Sequence, residues 1–236
     1  MSNIRRYTRL TSGGMKRQFV AGVVILFLAC CFIAPTAGAE EGPGDYPTPA
    51  LEYGDQDQNP AAGRGVEVNI NGVKVMIPDL ILRDQEGRKV RFYSDLIKGK
   101  VVVLSFFYTS CTYSCPMQGR VFSELQSLLG ERLGKSVFLI SVTTDPATDN
   151  PEKLKAWGVG YNVKPGWTLV TGEEAEMNKL LTPFTGSPAG GEMHLPVTFI
   201  GNDGGGFWTS AAGVFAPQEL VKVIDYVSRD GVNRAK

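Results

Sequence analysis

The chain has 236 residues, 43% of them hydrophobic and 20% charged, the composition of a folded globular protein of one or two domains. Basic and acidic residues number 24 each, but five basic and no acidic residues precede Glu40, so residues 40–236 carry a formal charge of −5. That is a poor match to a phosphate backbone, four cysteines are too few for a disulfide-stapled miniprotein, and a single histidine excludes any two-histidine motif.

Arg5, Arg6, Arg9, Lys16 and Arg17 lead into an apolar run from Phe19 to Ala34, then Pro35-Thr36-Ala37-Gly38-Ala39. Basic, apolar, then small-x-small is the order of a secretory signal, with Ala37 and Ala39 as the small residues. The apolar run of 16 residues is shorter than the roughly 20 that span a membrane comfortably, which favours cleavage. The alternative is an uncleaved anchor with its basic end in the cytoplasm. Phe27-Leu28-Ala29 before Cys30 is a weak match to a lipid-attachment site, and Arg5-Arg6 is a weak twin-arginine signal. Each version exports residues 40–236 to the periplasm or the outer face of the cytoplasmic membrane, with membrane contact only through residues 1–39. Cleavage removes Cys30 and Cys31 and leaves Cys111, Cys115 and His194.

Residues 40–65 hold Pro43, Pro47, Pro49 and Pro60 without apolar periodicity and read as a flexible linker. The single domain of residues 66–236 begins with alternating runs, Val66–Ile70 and Val73–Ile77, around Asn71-Gly72. Both turn positions of such a hairpin need positive φ, which Asn and Gly supply. A second turn at Asp84–Gly87 precedes a short strand near Val90–Phe92, and Ser94 is placed to cap a helical turn ending near Gly99. Val101–Phe107 is nearly all apolar, as a strand buried on both faces should be. Met117, Val121, Leu125, Leu128 and Leu129 form a helical stripe, with Pro116 in the first turn. Val137–Val142 is another buried strand, and Asn150-Pro151-Glu152 starts a helix. Trp167–Val170 is a short strand. Thr171 and Glu174 have capping-box spacing before a helix containing Met177, Leu180 and Leu181. Strands Val197–Ile200 and Phe207–Ser210 flank a turn at Asn202–Gly206. Pro217 opens a last helix with Leu220, Val223, Ile224 and Val227 on one face. Buried strands alternating with helices predict an α/β fold. Trp157, Trp167 and Trp208 read as core or rim aromatics.

Cys111-Thr112-Tyr113-Ser114-Cys115-Pro116 joins a buried strand to a helix. Reactive groups of α/β folds favour that end of a strand, and the helix start lowers a thiol's pKa. With three intervening residues, the spacing puts the sulfurs about one helical turn apart if the helix begins early. Three readings stay open on spacing alone: an inert disulfide, a redox pair, and a metal site needing a further ligand. His194 is the candidate ligand, since it follows the flexible stretch Thr185–Gly191 and precedes a predicted strand. Two thiolates and one imidazole suit Cu(I), and with an added ligand Cu(II) or Zn(II). Met117 and Met193 are soft sulfurs, but Met117 fits the helix core. Asp145 and Asp149 read as turn-forming and capping residues.

Over roughly Val66–Asp225 the chain resembles the Sco (SenC) family. The resemblance rests on Gly99-Lys100-Val-Val-Val-Leu, on Tyr108-Thr109-Ser-Cys111-Thr-Tyr-Ser-Cys115-Pro116, on Asp145-Pro-Ala-Thr-Asp149-Asn-Pro151, and on His194 before Val-Thr-Phe-Ile. It implies a thioredoxin-like fold with a central mixed sheet flanked by helices, extended by the N-terminal hairpin. It also implies copper, Cu(I) or Cu(II), on Cys111, Cys115 and His194, and a metallochaperone delivering copper to cytochrome c oxidase. The implied partners are the copper-bearing oxidase subunit or another copper-site client, and other copper chaperones. Departures from the family pattern are Thr112 and Tyr113 inside the cysteine motif, Thr148, and Met193 and Leu195 around the histidine. Pro196 stands where thioredoxin-like oxidoreductases keep a cis-proline, so Leu195–Pro196 is expected to be cis. The alternative is an extracytoplasmic thiol–disulfide oxidoreductase in which Cys111 and Cys115 are the catalytic redox pair. An interaction module with an inert Cys111–Cys115 disulfide is a third class.

Overall fold

The computed structural model describes residues 65–189 and 196–234. The expected signal or anchor, nearly all of the linker, Met193, His194 and the Leu195–Pro196 bond lie outside the described residues. Among those described, no helix is long and apolar enough to cross a membrane.

The hairpin forms as expected, β1 (Val66–Ile70) against β2 (Val73–Ile77). Asn71 and Gly72 turn it with φ of 51° and 90°, the left-handed values that a two-residue hairpin demands. Next come β3 (Ile81–Asp84), β4 (Lys89–Arg91), β5 (Val101–Phe107), α1 (Cys115–Leu129), β6 (Val137–Thr143), α2 (Pro151–Gly160) and β7 (Trp167–Thr171). The chain continues with α3 (Glu174–Thr185), β8 (Val197–Asn202), β9 (Phe207–Ala212) and α4 (Pro217–Arg234). The strands form one mixed sheet in the order β2-β1-β9-β8-β5-β6-β7-β3-β4. Strands β5, β6 and β7 are parallel, while β8 runs antiparallel to β5 and β9 antiparallel to β8. The hairpin extends this sheet beyond β9.

The buried strands alternate their side chains between two cores, because successive residues point to opposite faces. Val102, Leu104 and Phe106 pack with Met177, Leu180 and Leu181 of α3 and with Ile70 and Ile77 of the hairpin. Val103 and Phe107 pack on the other face, with Phe122 and Leu125 of α1, Leu154 of α2, and Leu220, Ile224 and Val227 of α4. Full burial of each such side chain contributes about 1.5–3 kcal/mol. Trp167 and Trp208 are core residues, and Trp157 is half-buried between Phe107 and Tyr161.

Four expectations are corrected. Thr171 caps no helix: it ends β7 and its hydroxyl donates to the Asp149 carbonyl at 2.7 Å, while α3 starts after Glu173 without a side-chain cap. Ser94 does not cap its turn either; the Asp79 carboxylate accepts from the Tyr93 and Ser94 N–H groups and from the Ser94 hydroxyl. Strand β3 passed unrecognised, because its four residues Ile-Leu-Arg-Asp show too little alternation. Finally, Met117 does not belong to the core of α1. The buried stripe is Cys115, Gln118, Gly119, Phe122, Leu125, Gln126 and Leu129, while Met117 is 48% exposed and Leu128, also expected on the inward face, is 46% exposed. Two glutamines and a glycine hide that stripe from a count of apolar residues. Gln126 is buried because its amide donates to the carbonyls of Tyr161 and Asn162 and accepts from the Lys164 N–H. Gly119 is buried because the Tyr161 ring lies against its backbone.

Candidate metal centre

The cysteine loop leaves the carboxyl end of β5, where it meets the start of α1. The end of β5 is held from below by Asp149, a fully buried carboxylate. It accepts from the Thr109 N–H at 3.0 Å, from the Thr109 hydroxyl, and from the Thr143 hydroxyl at 2.5 Å. Asp145 accepts from the Thr148 N–H at 3.3 Å, which is turn-forming work, and Asn150 caps α2 through the Lys153 N–H at 2.9 Å. The Asp145–Pro151 segment therefore braces the loop rather than facing it with free carboxylates.

Helix α1 begins without a conventional cap. Ser114 makes no side-chain cap, Pro116 brings no N–H, and no acidic residue stands in the first turn. Instead the Cys115 N–H points at Cys111 Sγ, 3.4 Å away. A sulfur at that position sits at the positive end of the helix dipole, which favours its anionic form. Partial desolvation opposes ionisation of Cys111. Hydrogen bonds from the Cys115 thiol, the Cys115 and Tyr113 N–H groups and the Tyr108 side chain outweigh it and bring the pKa down to about 7. Cys115 behaves oppositely. Burial, chiefly, and the neighbouring Cys111 sulfur push its thiol up to about 12. Both cysteines are present as thiols, Cys111 half-buried and Cys115 only 5% exposed. Tyr113, 83% exposed, stands beside them on the outside.

The structure thus brings Cys111 and Cys115 together. Among the described residues, no three of His, Cys, Asp and Glu gather closely enough to hold a metal, and His194 is outside that set. Pro196 is described. Its successor Val197 opens β8, and Thr198 pairs with Ser105 in antiparallel register, so β8 starts at the end of the sheet where β5 delivers the cysteine loop.

The SCO1/SenC family model matches residues 72–192, just over half of the chain. The chain belongs to the SCO1/SenC family. A Stutzerimonas stutzeri protein named as a candidate copper-binding protein is 31% identical over 107 residues, 44% of this chain and 49% of that one. The chain spans about half the length of the curated relatives it matches first. Among solved structures, BsSco, described as a member of the Sco family of cytochrome c oxidase assembly proteins, superposes with a TM-score of 0.53 at 21% identity. That match covers 70% of this chain and 95% of BsSco. Yeast Sco1 with copper bound superposes with a TM-score of 0.52 at 17% identity, covering 69% and 91% of the two chains. At such identities the likeness carries the fold alone, and the fold is thioredoxin-like.

Two residues beside the cysteine pair were given no role by the reading of the sequence. Tyr108 donates from its side chain to Cys111. Gln118 lies buried three residues after Cys115, and no signal in the sequence marked it, because the expected apolar stripe ran through Met117 instead.

Proposed function

We propose that this SCO1/SenC domain binds copper through the thiolates of Cys111 and Cys115 and the imidazole of His194. It delivers the metal to cytochrome c oxidase, or matures its copper centre. Names given to relatives support the reading: a candidate copper-binding protein, a copper-bound Sco1, and a family of oxidase assembly proteins. The observation that carries it is the pairing of two sulfurs on one helix start, with the beginning of β8 at the same end of the sheet. The donor set suits the metal: two soft sulfurs and an imidazole match copper, and the unpartnered side-chain nitrogen of buried Gln118 lines the same gap as Cys115. Copper, as cargo, supplies a soft ion that passes between thiolate sites by ligand exchange. The N-terminal basic-apolar-small pattern supports work outside the cytoplasm, where clients with exposed copper sites reside. Copper titration of the reduced protein, followed by thiolate-to-copper absorption, tests the ligand set. His194→Ala should bind far more weakly than wild type. Equal binding would remove histidine from the site.

A second reading, thiol–disulfide exchange, draws on the contrast between an accessible low-pKa Cys111 and a buried Cys115. The Cys111 thiolate would attack a client disulfide and expel one client thiolate. Cys115 would then close the Cys111–Cys115 disulfide and release the second thiolate, so the client gains two electrons. Turnover of a disulfide substrate by copper-stripped protein, unaffected by His194→Ala, would favour this reading.

A further inference from the structure

Ser105 and Ser141 are register neighbours on β5 and β6, with Oγ atoms 2.8 Å apart. The Trp167 indole N–H donates to Ser141 Oγ at 3.0 Å. Gln118, 7% exposed, brings two more N–H donors on a side-chain nitrogen that has no partner. These residues and Cys115 line one narrow gap that leaves no room for a water molecule. Among the groups lining the gap, the Gln118 amide nitrogen is the one left without a partner. A buried amide nitrogen left in that state is unfavourable.

Cys115 is the one lining group whose accepting power changes with function. A neutral thiol accepts weakly, whereas a thiolate accepts charge-assisted hydrogen bonds strongly. Helix geometry supports the pairing. Gln118 follows Cys115 by three residues, so both project from the same face, and helical side chains lean back over the preceding turn.

We infer that Gln118 is a positioning residue for Cys115, donating a side-chain amide hydrogen bond to its sulfur when that sulfur is bound to a metal ion. The identity of that metal in the native protein rests on the copper reading above. The fold holds the donor ready in the metal-free thiol form and satisfies it on ligation, which biases the site toward the loaded state.

The test compares wild type with Gln118→Leu, which keeps an apolar side chain in the gap and removes the donor. Full-length reduced protein is used, with Cu(I) and Hg(II) as separate probes, because Hg(II) needs only two sulfurs. Copper-free Gln118→Leu should unfold at the wild-type denaturant midpoint or above it, since no satisfied bond is lost. Its Cu(I) affinity should fall roughly ten- to a hundred-fold. In wild type, the Gln118 side-chain amide protons should shift downfield in the NMR spectrum on loading with either metal. Affinity within two-fold of wild type, or a loss of copper-free stability matching the loss of binding, would overturn the inference. Should Gln118→Leu fail to fold, wild-type amide resonances that stay in place on metal loading overturn it, and a downfield shift upholds it. Wild type that takes Hg(II) with the amide shift but refuses Cu(I) sinks the copper reading and leaves the role of Gln118 standing.

Discussion

Asp149→Ala should loosen the cysteine loop and destabilise the domain together. The carboxylate is 1% exposed and accepts three hydrogen bonds, two from Thr109 and one from Thr143. The two hydroxyls can rotate toward other acceptors once the carboxylate is gone. The Thr109 N–H cannot, because its direction is set by the backbone at the end of β5. An orphaned buried donor costs about 1–3 kcal/mol, and hydrogen bonds to a charged acceptor contribute about 1.5–3 kcal/mol each. Allowing for rotation of the hydroxyls, the loss is about 3–5 kcal/mol. At about 2–4 °C per kcal/mol for a domain of this size, the Tm should drop by about 10 °C. Asp149→Asn keeps one acceptor for Thr109 and should lose less than half as much. Thermal unfolding of the reduced proteins, followed by circular dichroism, measures both. A drop below about 3 °C for the alanine variant would refute the argument that this carboxylate anchors the loop.

Four further outcomes follow from the structure. Alkylation of Cys111 in the reduced protein should follow an ionisation near pH 7, since its thiol is brought down from 9.0 to about 7; a midpoint near 9 would contradict the hydrogen-bond pattern. Because the folded pKa lies below the unfolded one, that ionisation adds stability as pH rises from about 7 to 9 and gives it up as pH falls through 7. Cys111→Ser should flatten this slope in denaturant midpoints, whereas Cys115, raised to about 12 by burial, withdraws stability only above pH 9. Gly119→Ala would put a methyl 2.6 Å from the Tyr161 ring, which Trp157 backs at 4.3 Å between centroids. It should therefore destabilise by about 1–2 kcal/mol despite alanine's better helix propensity, and become stabilising in a Tyr161→Ala background; a stabilised single variant would be the failing result. Met117→Gln should change stability by less than about 0.5 kcal/mol, as expected for an exposed position, and a larger loss in a urea titration would return Met117 to the core.

Local chemistry was legible without coordinates. Alternation and Asn71-Gly72 marked the hairpin, an unbroken apolar run marked β5, and Pro116, Asn150 and Pro217 marked helix starts. Each signal acts within one turn or one strand pair, where the physics is carried by neighbours in the chain. The cysteine spacing implied two neighbouring sulfurs, one helical turn apart had the helix begun early; α1 starts only at Cys115, and Cys111 meets it from the preceding loop, its Sγ 3.4 Å from the Cys115 nitrogen. The remaining features depend on which segment covers which. Antiparallel β8 and β9 join β5 to the hairpin, and β3 closes on the far side of β7. Packing of α2 and α4 against α1 turned Met117 outward and Gln118 inward, because a helix buries whatever side faces its neighbours, polar residues included. The unequal thiols have the same origin. Cys111 and Cys115 are chemically identical and four residues apart, and only tertiary burial of one, with hydrogen bonds to the other, separates their acidities.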